Sequence, residues 1–266
     1  MRNSDHLAGC PNFGRILPER HKLLDPSRDP PAVETVAATS RPDILLVCEH
    51  AGRAIPNALG DLGIAEQEMN RHIAYDIGAE WVARDLAART GAALILQRYS
   101  RLVIDCNRPP LGIQSIPEIS DGTPIPANKR LTDDEKNARV SEIFQPYADA
   151  VRDLVRQHRL TAAFSIHSFT PSFNGQHRPW HLGFCARAEP TLGNMASRLA
   201  KYDPALTIAT NQPYQIDDET DWFIPFVAEP AGLRHALIEI RNDQIAYREG
   251  ASLWATHLSL ILTEAP

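Results

Sequence analysis

Imidazoles that end apolar runs are the first residues in this chain with chemistry to offer. His50 closes Cys48-Glu49-His50 after the run 44–47, and His167 lies in Ser165-Ile166-His167-Ser168-Phe169 after the run 160–164. Open α/β sheets bind ligands at the carboxyl ends of their strands, and imidazole is the commonest metal ligand among side chains. One histidine so placed is ordinarily a hydrogen-bonded structural residue; two with the same placement predict a shared metal site. A catalytic zinc takes three protein ligands and keeps one position open. Asp76 is the expected third ligand, at the start of a helix predicted over 74–89, in competition with Glu49 and His72. An aspartate there also has an ordinary role as helix cap, and His72 and Asp76, four apart, would share one face of a continuous helix.

Two further strand ends carry polar residues: Asp105-Cys106-Asn107-Arg108 after the run 102–104, and Glu239-Ile240-Arg241 after the run 236–238. Glu239 and Arg241 lie two apart and so share one side of an extended strand. On an exposed strand they would form a local salt bridge worth roughly 0 to 1 kcal/mol. At a buried strand end, Glu239 is instead suited to general base catalysis, since a metal lowers the pKa of bound water to about 7 and a carboxylate can take its proton. Arg101, Arg108 and Arg241 with Asn107 form a set suited to a carboxylate substrate, because guanidinium forks bind carboxylates bidentately. Arg108 and Asn107 are the expected carboxylate clamp. Arg101 or Arg241 would stabilise an oxyanion or hold a second carboxylate.

These residues need a scaffold that gathers strand ends. Short apolar runs over 44–47, 92–97, 101–104, 162–166, 181–186, 206–209 and 237–240 read as strands, several of them buried on both faces. Helical patterns lie between them, at 65–70, 74–89, 191–201 and 245–263. Thr132-Asp133-Asp134-Glu135 reads as a capping box opening a helix towards position 158, with a break at Pro146. The alternation predicts one mostly parallel sheet covered by helices on both faces, an α/β domain over 43–266. Residues 1–42, rich in proline, read as an extended arm, and 109–130 as a long loop of the kind that covers or completes a site.

Composition removes several classes of function. A chain of 266 residues, 43% hydrophobic and 23% charged, can bury one substantial core. The net charge of -6 and the absence of a dense Lys/Arg run argue against nucleic acid and leave a small molecule as the expected partner. Cys10, Cys48, Cys106 and Cys185 have neither CxxC spacing nor the density of a disulfide framework, so a reduced, cytoplasmic setting is expected. No run approaches a membrane span, and no signal-peptide pattern opens the chain. There is no GxSxG elbow and no glycine-rich phosphate loop.

Taken together, Cys48-Glu49-His50-Ala51-Gly52, Ser100-Arg101-Leu102-Val103-Ile104-Asp105-Cys106-Asn107-Arg108-Pro109, Ser165-Ile166-His167-Ser168-Phe169, Asn211-Gln212-Pro213-Tyr214 and Glu239-Ile240-Arg241 resemble the N-formylglutamate amidohydrolase family over most of 43–260. More distantly they are similar to zinc carboxypeptidases and aspartoacylases. The resemblance implies a three-layer α/β/α fold of the zinc-exopeptidase (phosphorylase/hydrolase-like) type. It implies His50 and His167 as metal ligands, Asn107 and Arg108 as substrate clamp and Glu239 as base. The activity it implies is hydrolysis of N-formyl or N-acyl amino acids, N-formyl-L-glutamate foremost, as in histidine degradation. One departure stands out: those peptidases take a ligand from a glutamate three residues after the first histidine, where this chain has Arg53. Either Asp76 or another acid replaces that ligand, or the site binds metal weakly or not at all, which keeps open a protein that binds acidic ligands without turnover; the rival among enzymes is a carboxypeptidase- or deacylase-like activity on another amide.

Overall fold

Three runs free of Lys, Arg, Asp and Glu, at 44–48, 92–97 and 162–169, are buried along their whole length. In the computed structural model, which describes residues 22–157 and 159–263, they form the centre of a seven-stranded sheet. Its strands in chain order are β1 (Val33–Val36), β2 (Arg41–Cys48), β3 (Ala92–Gln97), β4 (Ala162–Phe169), β5 (Leu182–Cys185), β6 (Ile208–Thr210) and β7 (Arg234–Arg241). Across the sheet they run β1-β3-β2-β4-β7-β5-β6. Pairings are parallel except at β1–β3 and β7–β5. The sheet is mixed and mostly parallel, as expected.

Alternation along the strands feeds two cores. Leu45, Val47, Ala163 and Leu237 face a layer built from the helices α2 (Asp133–Arg139) and α3 (Gln145–Gln157), once α1 (Ala79–Thr90) has been laid on the other side. Ile44, Leu46, Phe164 and Ile238 face α1 together with α4 (Leu192–Tyr202) and α5 (Arg248–Leu262). The result is the three-layer α/β/α arrangement. The capping box at Thr132 and Glu135 is present in both directions. The break expected at Pro146 is a wide π turn over Val140–Phe144, as suits a residue that cannot donate to the carbonyl four positions back. Among the described residues no helix is long and apolar enough to cross a membrane.

Two elements differ from expectation, and each difference bears on the site. Residues 101–104 are not a strand but a buried turn, closed by Val103 N donating to Ser100 O; Leu102, Val103 and Ile104 fill core without joining the sheet. The helix expected over 74–89 begins at Ala79, because Gly78 at φ +79° ends the preceding turn as its N-cap. Asp76 is therefore neither on that helix nor its cap. Residues 22–42 pack on the body: β1 pairs with β3, and the Glu142 carboxylate accepts from Leu23 N and Leu24 N. Residues 1–21 of the expected arm lie outside the described residues.

Candidate active site

The sheet reverses its winding at β2, which has β3 on one side and β4 on the other. Ligands of open α/β sheets bind outside such a switch point. Here β2 delivers Glu49 and His50, and β4 delivers Ser165 and His167. Register places Glu239 of β7 beside His167. The third acid comes from a loop: Asp76 N donates to His50 O at 3.0 Å, which docks the 71–78 turn on the end of β2. Ser168 fixes it from the other side, its N donating to Asp76 Oδ2 at 3.0 Å and its hydroxyl to Ile77 O at 2.9 Å.

This brings His50, Asp76 and His167 together, all buried, with ligand atoms within 4.8 Å of one another. The two imidazoles meet edge to face with ring centroids 4.7 Å apart. His50 Nδ1 lies 3.4 Å and His167 Nδ1 2.9 Å from the same oxygen, Asp76 Oδ2. The outward nitrogens are held by carboxylates: His50 Nε2 lies 2.7 Å from Asp105 Oδ1, and His167 Nε2 lies 3.0 Å from Glu49 Oε2. Glu49 Oε2 also accepts from Ser165 Oγ at 2.6 Å. In the neutral imidazole that a metal ion would select, a carboxylate on the far nitrogen fixes the tautomer and leaves the near nitrogen its lone pair for the ion. His50 Nδ1 is buried and has no hydrogen-bond partner, so the donor set fits a divalent ion bound by two imidazoles and a carboxylate. Of the competitors for the third position, Glu49 turns Oε2 to His167 and Ser165 and has a buried Oε1 with no hydrogen-bond partner among the described residues, while His72 Nδ1 sits behind Asp76, 3.5 Å from Oδ1.

The electrostatics follow from crowding these groups out of water. Burial works to raise Asp76, but His50, His72 and His167 outweigh it and hold the carboxyl well below its usual range. Asp105 is likewise held down, against its burial, by His50, Arg101 and Arg108. His167 is raised well above the ordinary imidazole because Asp76 and Glu49 overcome its desolvation. His72, partly buried and desolvated with less compensation, falls to about 4. Glu239 goes the other way: burial pushes it up to about 8, and its Oε2 has no hydrogen-bond partner.

A cavity of about 390 Å³ opens onto these groups, lined among others by Glu239, Arg101, Asn107, Arg108 and Tyr214. Arg101 Nη2 donates to Asp105 Oδ2 at 2.8 Å and Nη1 to Asp76 Oδ1 at 3.3 Å. Arg108 Nη1 donates to Thr220 O at 3.0 Å and leaves its other amino group to the cavity. Asn107 shares its amide with the wall: Nδ2 donates to Asp221 Oδ1 at 3.3 Å and Oδ1 accepts from Phe223 N at 3.4 Å, with one amide hydrogen left over.

One expectation does not fit the geometry. Arg241, expected to bind substrate, does not line the cavity; at the last residue of β7 it engages Asp243 and the carbonyls of Arg178 and Pro179. Arg53, the departure noted in the sequence, donates to Asn70 Oδ1 and lies over the Tyr75 ring. The wall residues Tyr214 and Asp221 escaped residue-by-residue reasoning; their signal is the polar stretch from Asn211 to Asp221, which lacks strand or helix periodicity.

Comparison with known proteins adds three findings. The N-formylglutamate amidohydrolase family model matches residues 43–246. The crystal structure of gene product Atu2144 from Agrobacterium tumefaciens is 34% identical, with a TM-score of 0.84 over 90% of this chain and 96% of that one. N-formylglutamate amidohydrolase from Ralstonia eutropha JMP134 is similar in fold at 20% identity, with a TM-score of 0.63 over 86% of this chain and 95% of that one. A search of curated proteins finds no match.

Proposed function

The chain belongs to the N-formylglutamate amidohydrolase family, and from that premise we propose that it hydrolyses the amide bond of N-formyl or N-acyl amino acids, N-formyl-L-glutamate foremost, with a divalent metal, zinc, as cofactor. The observation that carries the reading is the convergence of His50 Nδ1, His167 Nδ1 and Asp76 Oδ2 beside a buried carboxyl, Glu239, whose Oε2 has no hydrogen-bond partner among the described residues. His50, Asp76 and His167 would hold the ion, which when bound polarises the amide carbonyl and acidifies water.

The remaining chemistry belongs to the side chains. Glu239 takes a proton from the attacking water and returns it to the leaving nitrogen as the C–N bond breaks, giving formate and the free amino acid. A carboxyl raised towards neutrality by burial suits both halves of that transfer, because a group poised near the working pH gives and takes a proton with comparable ease. Arg101 faces the cavity with a charge fixed by Asp76 and Asp105, in place to stabilise a developing oxyanion. Arg108, with the spare amide hydrogen of Asn107, anchors the α-carboxylate.

Release of formate from N-formyl-L-glutamate by the zinc-loaded protein tests the proposal. Turnover that disappears in Glu239→Gln with zinc retained supports it; turnover undiminished in that variant removes Glu239 as the base.

A further inference from the structure

The arginines that line the cavity are already matched to acids: Arg101 to Asp76 and Asp105, Arg108 to Asp105. Arg178, in the hairpin segment between β4 and β5, is not. Its Nη1 donates to two neutral hydroxyls, Tyr214 Oη at 3.2 Å and Thr170 Oγ1 at 3.5 Å, and among the described residues it forms no ion pair. Its guanidinium carbon lies 4.8 Å from the Phe173 ring centroid, 5.1 Å from that of Tyr214 and 5.7 Å from that of Phe169. The residue is only 9% exposed. A buried guanidinium that meets only aromatic rings and neutral hydroxyls has hydrogen-bond donors to offer an anion.

Tyr214 connects that charge to the cavity. It lines the same space as Glu239, Arg101 and Arg108. Its Oη already accepts from Arg178, so the hydroxyl hydrogen is left to donate to whatever enters. The backbone is built to hold it there. Gly183 of β5 pairs with Glu239, and a Cβ on it would lie 1.6 Å from Gln212 O, so the segment leading to Tyr214 rests directly on the strand next to the base. On the other side, Arg241 Nη1 donates to Arg178 O at 3.3 Å and to Pro179 O at 3.2 Å, clamping the backbone that carries Arg178.

We infer that Tyr214 and Arg178 form a subsite that selects an acidic side chain on the substrate: the Tyr214 hydroxyl donates to the distal carboxylate, while Arg178 orients that hydroxyl and supplies the uncompensated positive charge. This rests on reading the cavity as a site for N-acyl amino acids and assigns residues to the second carboxylate that N-formyl-L-glutamate carries. Tyr214 touches the substrate. Arg178 is a positioning residue.

The test is titration calorimetry of L-glutamate and L-glutamine, near-isosteres whose distal group is a carboxylate in one and a neutral amide in the other, against the zinc-loaded wild type, Arg178→Met, Tyr214→Phe, the double variant and Arg178→Lys. Wild type is expected to prefer glutamate by about 10- to 100-fold, the range of a charge-assisted hydrogen bond. Arg178→Met reduces that preference to roughly threefold or less while leaving glutamine binding within about twofold, which also shows the variant folded. The double variant loses no more than the worse single one, because one residue acts through the other. Arg178→Lys, which keeps the charge, retains a preference. A wild type that binds neither ligand or both equally, a preference that survives Arg178→Met, or equal loss in the Lys and Met variants overturns the inference. Formate release separates this from the function: a wild type that prefers glutamate yet hydrolyses no N-formyl amino acid refutes the hydrolytic reading and leaves the subsite standing.

Discussion

Replacing Glu239 with glutamine should stabilise the metal-free protein, and only at neutral to alkaline pH. Burial lifts this carboxyl from 4.5 to about 8 in the folded chain. Below about pH 4.5 it is protonated folded or unfolded, and its contribution to stability is fully present. Between 4.5 and 8 the unfolded chain ionises it while the native state keeps the proton, so stability falls as pH rises and the loss is complete above 8. The gap between the two values corresponds to about 5 kcal/mol at 25 °C. Glutamine escapes the whole of that loss. Urea denaturation of chelator-treated wild type and Glu239→Gln at pH 5, 7 and 9 measures it: the variant gains little at pH 5, more at 7 and several kcal/mol at 9, on the order of the figure above. Zinc should narrow the difference, because a cation beside the carboxylate favours its charged form. A difference that does not vary with pH, or a variant less stable than wild type at pH 9, would refute the burial argument.

Other consequences follow from the same geometry. Asp105→Asn keeps a hydrogen-bond acceptor on His50 Nε2 but removes its charge, and zinc affinity measured by chelator competition should fall about 10- to 100-fold with the fold intact. Gly183→Ala drives a methyl into the Gln212 carbonyl; a loss of about 1–3 kcal/mol in urea denaturation is expected, together with weaker binding of substrate through the displaced Tyr214.

The parts of this molecule that local pattern governs were readable in the chain. Runs without charge over 44–48, 92–97 and 162–169 could only be buried strands, and they carry His50 and His167 to one edge because parallel strands end together. The capping box at Thr132 was readable for the same reason, since its partners lie three residues apart. What local pattern does not govern was misread. The apolar stretch Leu102-Val103-Ile104 has strand composition, yet the turn closed onto Ser100 O gives it core contacts without a sheet position. Asp76 reached its place through a bond to the His50 carbonyl, twenty-six positions away in sequence, and not through the helix it was expected to start. Arg241 shared a strand face with Glu239 on paper, but at the strand's last residue its long side chain turned to the 178–179 carbonyls. Neither Asp105 behind His50 nor Glu49 behind His167 can be paired with its histidine without the fold, because each pairing joins separate strand ends or loops.

The central claim is that two strand-end imidazoles and a loop aspartate hold a catalytic metal ion. Elemental analysis of protein purified without chelator or metal-affinity resin, compared with His167→Ala, tests it most directly. About one zinc per chain in wild type and none in the variant is the predicted result. Wild type that holds no metal even after loading with zinc, or a variant that keeps its full complement, would contradict it.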